Sequence, residues 1–161
     1  MRLIRGINHI AVMTEDLDRF VAFYTQVFGI ETLFREETPA FRHASLRTGE
    51  DSWLHPIQVT GNRHGKGGPS MFERGHLDHI ALTADSREAF ESLRRRLVER
   101  GASDGAVEDL GAFHALWFID PDGMRGEVAL VVDPWLRRFH APTRVQEPLS
   151  SATHVAKHGT T

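Results

Sequence analysis

The sequence predicts an α+β fold built from two tandem β-α-β-β-β halves, and three observations carry that reading. The phrase "INHIAV" (7–12) returns as "LDHIAL" (77–82), 70 residues later, with a histidine at the centre of each copy. Each copy is followed by a run of apolar residues at helical spacing, and then by runs that read as strands bounded by turn residues. Between the copies lies "GNRHGKGGPSMFERG" (61–75), rich in glycine and without periodicity, which reads as a linker.

Alignment at an offset of 70 pairs Ile7 with Leu77, His9 with His79, Ile10 with Ile80, Ala11 with Ala81 and Phe20 with Phe90. After the first strand, Asp16 is suited to cap a helix whose Leu17, Phe20, Val21, Tyr24, Val27 and Phe28 recur at helical spacing. Gly29 is suited to stop it. In the second copy Ser86 caps, Phe90, Leu93, Leu97 and Val98 form the inner stripe, and Gly101 stops. Strands are then expected over about 31–36, 40–48 and 52–59, and over about 105–109, 112–120 and 125–132. "TGED" and "DPDG" sit between the last two strands of each half and read as tight turns.

These boundaries make one domain of 161 residues: a first module over 4–60, a linker over 61–76, a second module over 77–132 and an extension over 133–161. In the extension, "DPWLRRFHAP" predicts a short helix with Pro134 near its start, packing Trp135 and Phe139 on the domain. The polar, aperiodic "TRVQEPLSSATHVAKHGTT" is expected to be partly flexible or held against a partner subunit.

Composition narrows the function. Hydrophobic residues at 40% and charged residues at 25% are ordinary for a globular domain, and a net charge of −3 gives no reason to expect nucleic acid or a membrane as partner. The chain has no cysteine, which removes disulfides, thiolate zinc sites, iron–sulfur clusters and cysteine nucleophiles together. "MRLIRGINHI" lacks the apolar core of a signal peptide and no run approaches membrane-spanning length, so a cytoplasmic location is expected. Of the ten histidines, His64, His76, His140, His154 and His158 lie in polar or Gly/Pro-punctuated stretches and read as solvated.

The repeat also locates a candidate site. His9 to Gly29 is 20 residues and His79 to Gly101 is 22, so the second helical region is longer by two. Gly101 to Glu127 is 26 residues, and the same 26 from Gly29 lands on His55. The pseudo-twofold therefore predicts that His9, His55, His79 and Glu127 converge on one axis from four strands. Three neutral imidazoles and one carboxylate suit a divalent transition ion such as Fe, Mn, Ni, Co or Zn. Such an ion polarises a carbonyl, and Glu127 could accept a proton beside it. A single histidine in an apolar strand is more often a hydrogen-bonded core residue than a ligand. Two at repeat-equivalent places, with a glutamate inside "GEVALVV", shift that balance, since uncompensated burial of a carboxylate costs several kcal/mol. His55 is the less secure member, because a slip of one residue would turn it to the other face.

The segments "INHIAVMTEDLDRFVAFYTQVFGIE", "LDHIALTADSREAFESLRRRLVERGA" and "FIDPDGMRGEVAL" resemble the vicinal oxygen chelate superfamily. That superfamily includes glyoxalase I, fosfomycin-resistance enzymes, extradiol dioxygenases and bleomycin-binding proteins. The resemblance covers about 4–132. It implies paired βαβββ modules forming a cupped, eight-stranded mixed sheet, a metal in the cup and a homodimer. It places the metal ligands at His9, His79 and Glu127, with a fourth position on or near His55, where glyoxalases have Glu or Gln. Fosfomycin-type catalysis is disfavoured, because Ala11 stands where those enzymes carry a catalytic threonine. Ring-cleaving dioxygenase chemistry is weakened, because its tyrosine position holds Trp117 and the only tyrosine is Tyr24. His43, His55 or His114 could supply acid–base function. Trp53 and Trp117 could stack on a flat substrate. Arg42 or Arg125 could meet a substrate carboxylate, although solvated arginines are commoner.

The resemblance thus implies a metal-dependent enzyme, of lyase or isomerase type before dioxygenase, acting on a small substrate that chelates the ion through vicinal oxygens. Glu127 and His55 are its candidate catalytic groups. The competing class is a metal-free, small-molecule (drug) binding protein of the bleomycin-resistance kind.

Overall fold

In a computed structural model, residues 3, 6–63, 74, 77–136 and 139–149 are described. The predicted order of elements is present. The first module runs β1 (His9–Met13), α1 (Leu17–Phe28), β2 (Glu31–Glu37), β3 (Phe41–Arg47) and β4 (Trp53–Val59). The second runs β5 (Ile80–Thr83), α2 (Arg87–Glu99), β6 (Val107–Gly111), β7 (Phe113–Ile119) and β8 (Arg125–Val131).

Local chemistry sets the helix ends. The Asp16 carboxylate accepts from the backbone N–H groups of Asp18 and Arg19, which the first helical turn cannot pair internally. Gly29 stops the same helix at φ 70°, a left-handed conformation that glycine adopts without a Cβ penalty. Ser86 caps α2 through Ala89 N–H. Leu17, Phe20, Tyr24 and Val27 are all at most 2% exposed, so the apolar stripe of α1 is fully covered by sheet and partner helix. The inner face of α2 differs from its prediction at one place. Arg94 is buried there beside Phe90 and Leu97. Its guanidinium donates to the carbonyls of Gly105 (2.5 Å) and Glu147 (2.7 Å).

The strands form two mixed sheets, ordered β1-β4-β3-β2 and β5-β8-β7-β6 followed by a strand from the extension. A single eight-stranded sheet was implied. Among the described residues no ladder joins β1 to β5, so each module closes its own sheet. The extension also departs from expectation. Asp133 caps a turn through Trp135 and Leu136 N–H, Trp135 stays 85% exposed, and the chain then enters β9 (Phe139–Gln146). β9 pairs antiparallel with β6, whose edge would otherwise carry unpaired backbone groups. Residues 150–161, and most of the linker, lie outside the described residues.

One helix covers one face of each sheet, α1 over β2–β4 and α2 over β8. The modules join through the "DPDG" turn. Asp122 accepts from the Thr14 hydroxyl (2.6 Å), Glu15 N–H (3.0 Å) and the Arg19 guanidinium (3.0 Å), while the Tyr24 hydroxyl donates to Asp120 (3.3 Å). Phe118 meets Phe23 and Phe28 of α1 across this interface. Gly126 makes room for it, since a Cβ there would lie 2.1 Å from the Phe118 ring. No helix among the described residues is long and apolar enough to cross a membrane.

Candidate metal centre

Alternation along a strand decides which side chains reach the face that no helix covers. On β1, Ile10 and Val12 turn toward the core, leaving His9, Ala11 and Met13 on the other face. On β4, Leu54 is buried toward α1, so Trp53, His55 and Ile57 share the helix-free face. Ala11 pairs in register with His55, and Ala81 pairs with Glu127. Ala11 and Ala81 are the repeat-equivalent residues, so the register gives His55 and Glu127 the equivalence expected from counting between glycines.

The four side chains meet in pairs. His9 and His55 stand edge to face with ring centroids 5.8 Å apart on the first sheet, and Trp53 stacks on His9 at 6.0 Å. On the second sheet His79 Nε2 lies 3.3 Å from Glu127 Oε2, with Trp117 edge-on to His79 at 4.9 Å. Convergence of all four on one axis is not met within the chain. Among the described residues no three metal-capable side chains are grouped so that they could hold one ion. The electrostatics divide in the same way. Burial, then the charges of His43 and His9, lower the pKa of His55. Burial raises that of Glu127, opposed by His79.

The surroundings of Glu127 fit a divalent cation. The residue is 2% exposed, its Oε1 has no hydrogen-bond partner among the described residues, and its other oxygen faces an imidazole nitrogen. A buried oxygen left unpaired costs on the order of 1–3 kcal/mol, and more when charged. A divalent ion bound by imidazole and carboxylate would remove that cost. The histidines are held for such a role. Asn8 Oδ1 accepts from His9 Nδ1 (2.9 Å) and Asp78 Oδ2 accepts from His79 Nδ1 (2.7 Å), which leaves the lone pair of each neutral ring on Nε2. Asn8 and Asp78 are themselves repeat-equivalent. The sequence carries that signal, as Asn-His and Asp-His in matching phrases, outside the set of candidate residues.

The other candidates are sorted by geometry. His43 lies beside His55, with Nδ1 at 2.9 Å from His55 Nε2. His114 alternates with Trp117 and so falls on the helix side of β7. Arg42 is committed to Asp18 (2.9 Å) and Glu37 (3.4 Å). Arg125 borders a cavity of ≈ 560 Å³ lined also by Trp117, Glu108, Arg144, Ser103 and Ile119. His140 is exposed on β9, and His64, His76, His154 and His158 lie outside the described residues.

Comparison with known proteins agrees with this architecture. A family model described as "Glyoxalase/Bleomycin resistance protein/Dioxygenase superfamily" matches residues 6–128. The lactoylglutathione lyase of Salmonella typhimurium is 31% identical over 133 residues, spanning 80% of this chain and 91% of that protein. The metallothiol transferase FosB of Lysinibacillus sphaericus is 26% identical, over 77% of this chain and 81% of its own length. Among solved structures, a glyoxylase/bleomycin resistance protein/dioxygenase domain from Frankia sp. EAN1pec superposes with a TM-score of 0.64. It is 23% identical and covers 80% of this chain and 98% of that one.

Proposed function

The chain belongs to the glyoxalase/bleomycin resistance protein/dioxygenase superfamily, and on that premise we propose that it is a metal-dependent enzyme of the glyoxalase type. Its substrate is a small molecule that chelates a divalent transition ion (Fe, Mn, Ni, Co or Zn) through vicinal oxygens. The observation that carries this reading is Glu127, a buried carboxylate with one oxygen unpaired and the other against His79. His9, His55, His79 and Glu127 would hold the ion, which when bound acts as a Lewis acid on the substrate's oxygens.

The pairwise placement of the ligands supports a homodimer in which His9 and His55 of one copy face His79 and Glu127 of another. The β1 and β5 edges flank these pairs, and Ile7, Met13 and Leu77 are more than half exposed beside them. Trp117 and the cavity beyond it would take the substrate's remaining atoms. Glu127 would hold and move a proton there. A lyase or isomerase reaction is favoured over ring cleavage, because Tyr24 is buried in the core against Asp120 and Trp117 stands at the site instead.

Elemental analysis of untagged protein tests the reading. About one transition ion per pair of half-sites is expected, lost in both His9→Ala and His79→Ala. Metal-free wild-type protein that binds aromatic compounds tightly would overturn it in favour of the drug-binding class.

A further inference from the structure

On the helix-free face of the first sheet, two residues outside the repeat-derived set form a hydrogen-bonded chain to His55. Glu36 on β2 and His43 on β3 are register partners, and Glu36 Oε2 lies 2.8 Å from His43 Nε2. The other nitrogen of the same ring, Nδ1, lies 2.9 Å from His55 Nε2. Phe34 and Phe41 hold the His43 ring edge to face, with centroids at 5.2 and 5.0 Å. The His43 side chain is 12% exposed, so its orientation is fixed by contact on several sides.

We infer that Glu36 and His43 are positioning residues that fix the ring tautomer of His55, so that His55 presents Nδ1, and not Nε2, to the metal. The argument is one of counting protons. An ionised carboxylate only accepts, so His43 Nε2 must carry the hydrogen of the first bond. A neutral imidazole then has only a lone pair at Nδ1, so the hydrogen of the second bond belongs to His55 Nε2. His55 Nδ1 is left with the free lone pair. His9 and His79 are held the opposite way, their Nδ1 hydrogens given to Asn8 and Asp78. The centre would therefore combine two Nε2 ligands with one Nδ1 ligand. Outer hydrogen bonds of this kind orient ligating histidines and tune their basicity.

The inference rests on the metal-centre reading, and the test separates the two. Long-range 1H–15N NMR of apo protein labelled at histidine nitrogen reads each ring's tautomer directly. The expected result for His55 is a protonated Nε2 and a bare Nδ1, with the reverse for His9. On addition of Zn2+, the His55 Nδ1 resonance should shift to a metal-bound position while Nε2 keeps its proton. His43→Phe should mix the tautomers of His55 and weaken Zn2+ binding, measured calorimetrically, by roughly 10–100-fold. His43→Asn, whose amide oxygen falls near the place of Nδ1 and can still accept from His55 Nε2, should recover most of that affinity and guards against misfolding of the Phe variant. A proton on His55 Nδ1 in the apo protein, or Zn2+ bound through Nε2, overturns the inference and leaves the metal centre standing. Wild-type protein that binds no Zn2+ overturns the metal centre itself, whatever the tautomer.

Discussion

The two half-sites occupy equivalent places in the repeat and are built from opposite chemistry. On the first sheet His9 is exposed, and His55 and His43 form a hydrogen-bonded row of imidazoles ending on Glu36. On the second sheet Glu127 is 2% exposed, with an oxygen unpaired among the described residues, against a single histidine. The first half is satisfied without an ion. The second carries an electrostatic deficit that an ion would relieve. The difference suggests a division of labour: the carboxylate half supplies the charge that attracts a cation, and the imidazole half supplies preset directional ligands.

The largest expected effect comes from forcing the halves apart. His9→Ala and Glu127→Gln should each bind no metal alone. If the centre forms between copies, mixing the two variants and allowing subunit exchange creates heterodimers with one wholly intact site and one doubly broken site. Metal content of the mixture, measured after dialysis, should therefore rise from zero. A mixture that stays empty would place all four ligands in one chain and remove the dimer from the proposal.

How much of this was readable beforehand follows from the same contrast. The repeat located β1, α1, β5, α2 and both helix caps, because local hydrogen bonding at Asp16, Ser86 and Gly29 is written in neighbouring residues. It also made His55 equivalent to Glu127, which the Ala11 and Ala81 registers bear out. Three things were not legible. Contacts across strands, such as Glu36 with His43, depend on register that no local signal sets. The separation of the sheets depends on how the modules dock, through Asp122 and Phe118, and that is a long-range choice. Pro134 predicts a helix in the tail, whereas the edge of β6 takes it up as β9.

That captured strand gives the second prediction, since among the described residues the first sheet has no counterpart to it. Arg94 holds the start of β6 and the end of β9 together through the Gly105 and Glu147 carbonyls. Arg94→Met should lower stability by about 3 kcal/mol, because each bond from a charged donor contributes roughly 1.5–3 kcal/mol. Urea unfolding would measure it. Limited proteolysis should cut first near 139–149, and a loss spread evenly over both modules would argue against a local tie.

Glu127→Gln sharpens the contrast further, with a smaller effect of opposite sign. The amide keeps the shape, carries no charge and can donate to His79 Nε2, so apo protein at neutral pH should gain about 2 kcal/mol. The sign with pH follows from the raised pKa of Glu127, caused first by burial and opposed by His79. A carboxyl whose folded pKa lies above its unfolded value favours folding at low pH, and that contribution is lost as pH rises through the folded value. The advantage of Gln should therefore be full above the raised folded value, shrink as pH falls through it, and be gone below the ordinary glutamate range. The same variant should lose the thermal shift that metal gives wild type.

Tyr24→Phe probes the docking of the modules rather than either half-site, and its effect should be the smallest. The hydroxyl donates to Asp120, a buried carboxylate that also accepts from the N–H groups of Asp122 and Met124. Losing one of these donors should cost about 1 kcal/mol. Burial raises the pKa of Asp120 and the tyrosine bond opposes that rise. Removing the bond lifts it further, so the deficit should be larger at neutral pH than in acid, where Asp120 is protonated. Metal content should not change, because the ring sits in the core among Phe20, Phe23 and Phe28. A Tyr24→Phe protein that keeps its fold but loses its metal would show that module docking sets the half-sites, and the two sheets could then no longer be treated as independent carriers of the centre.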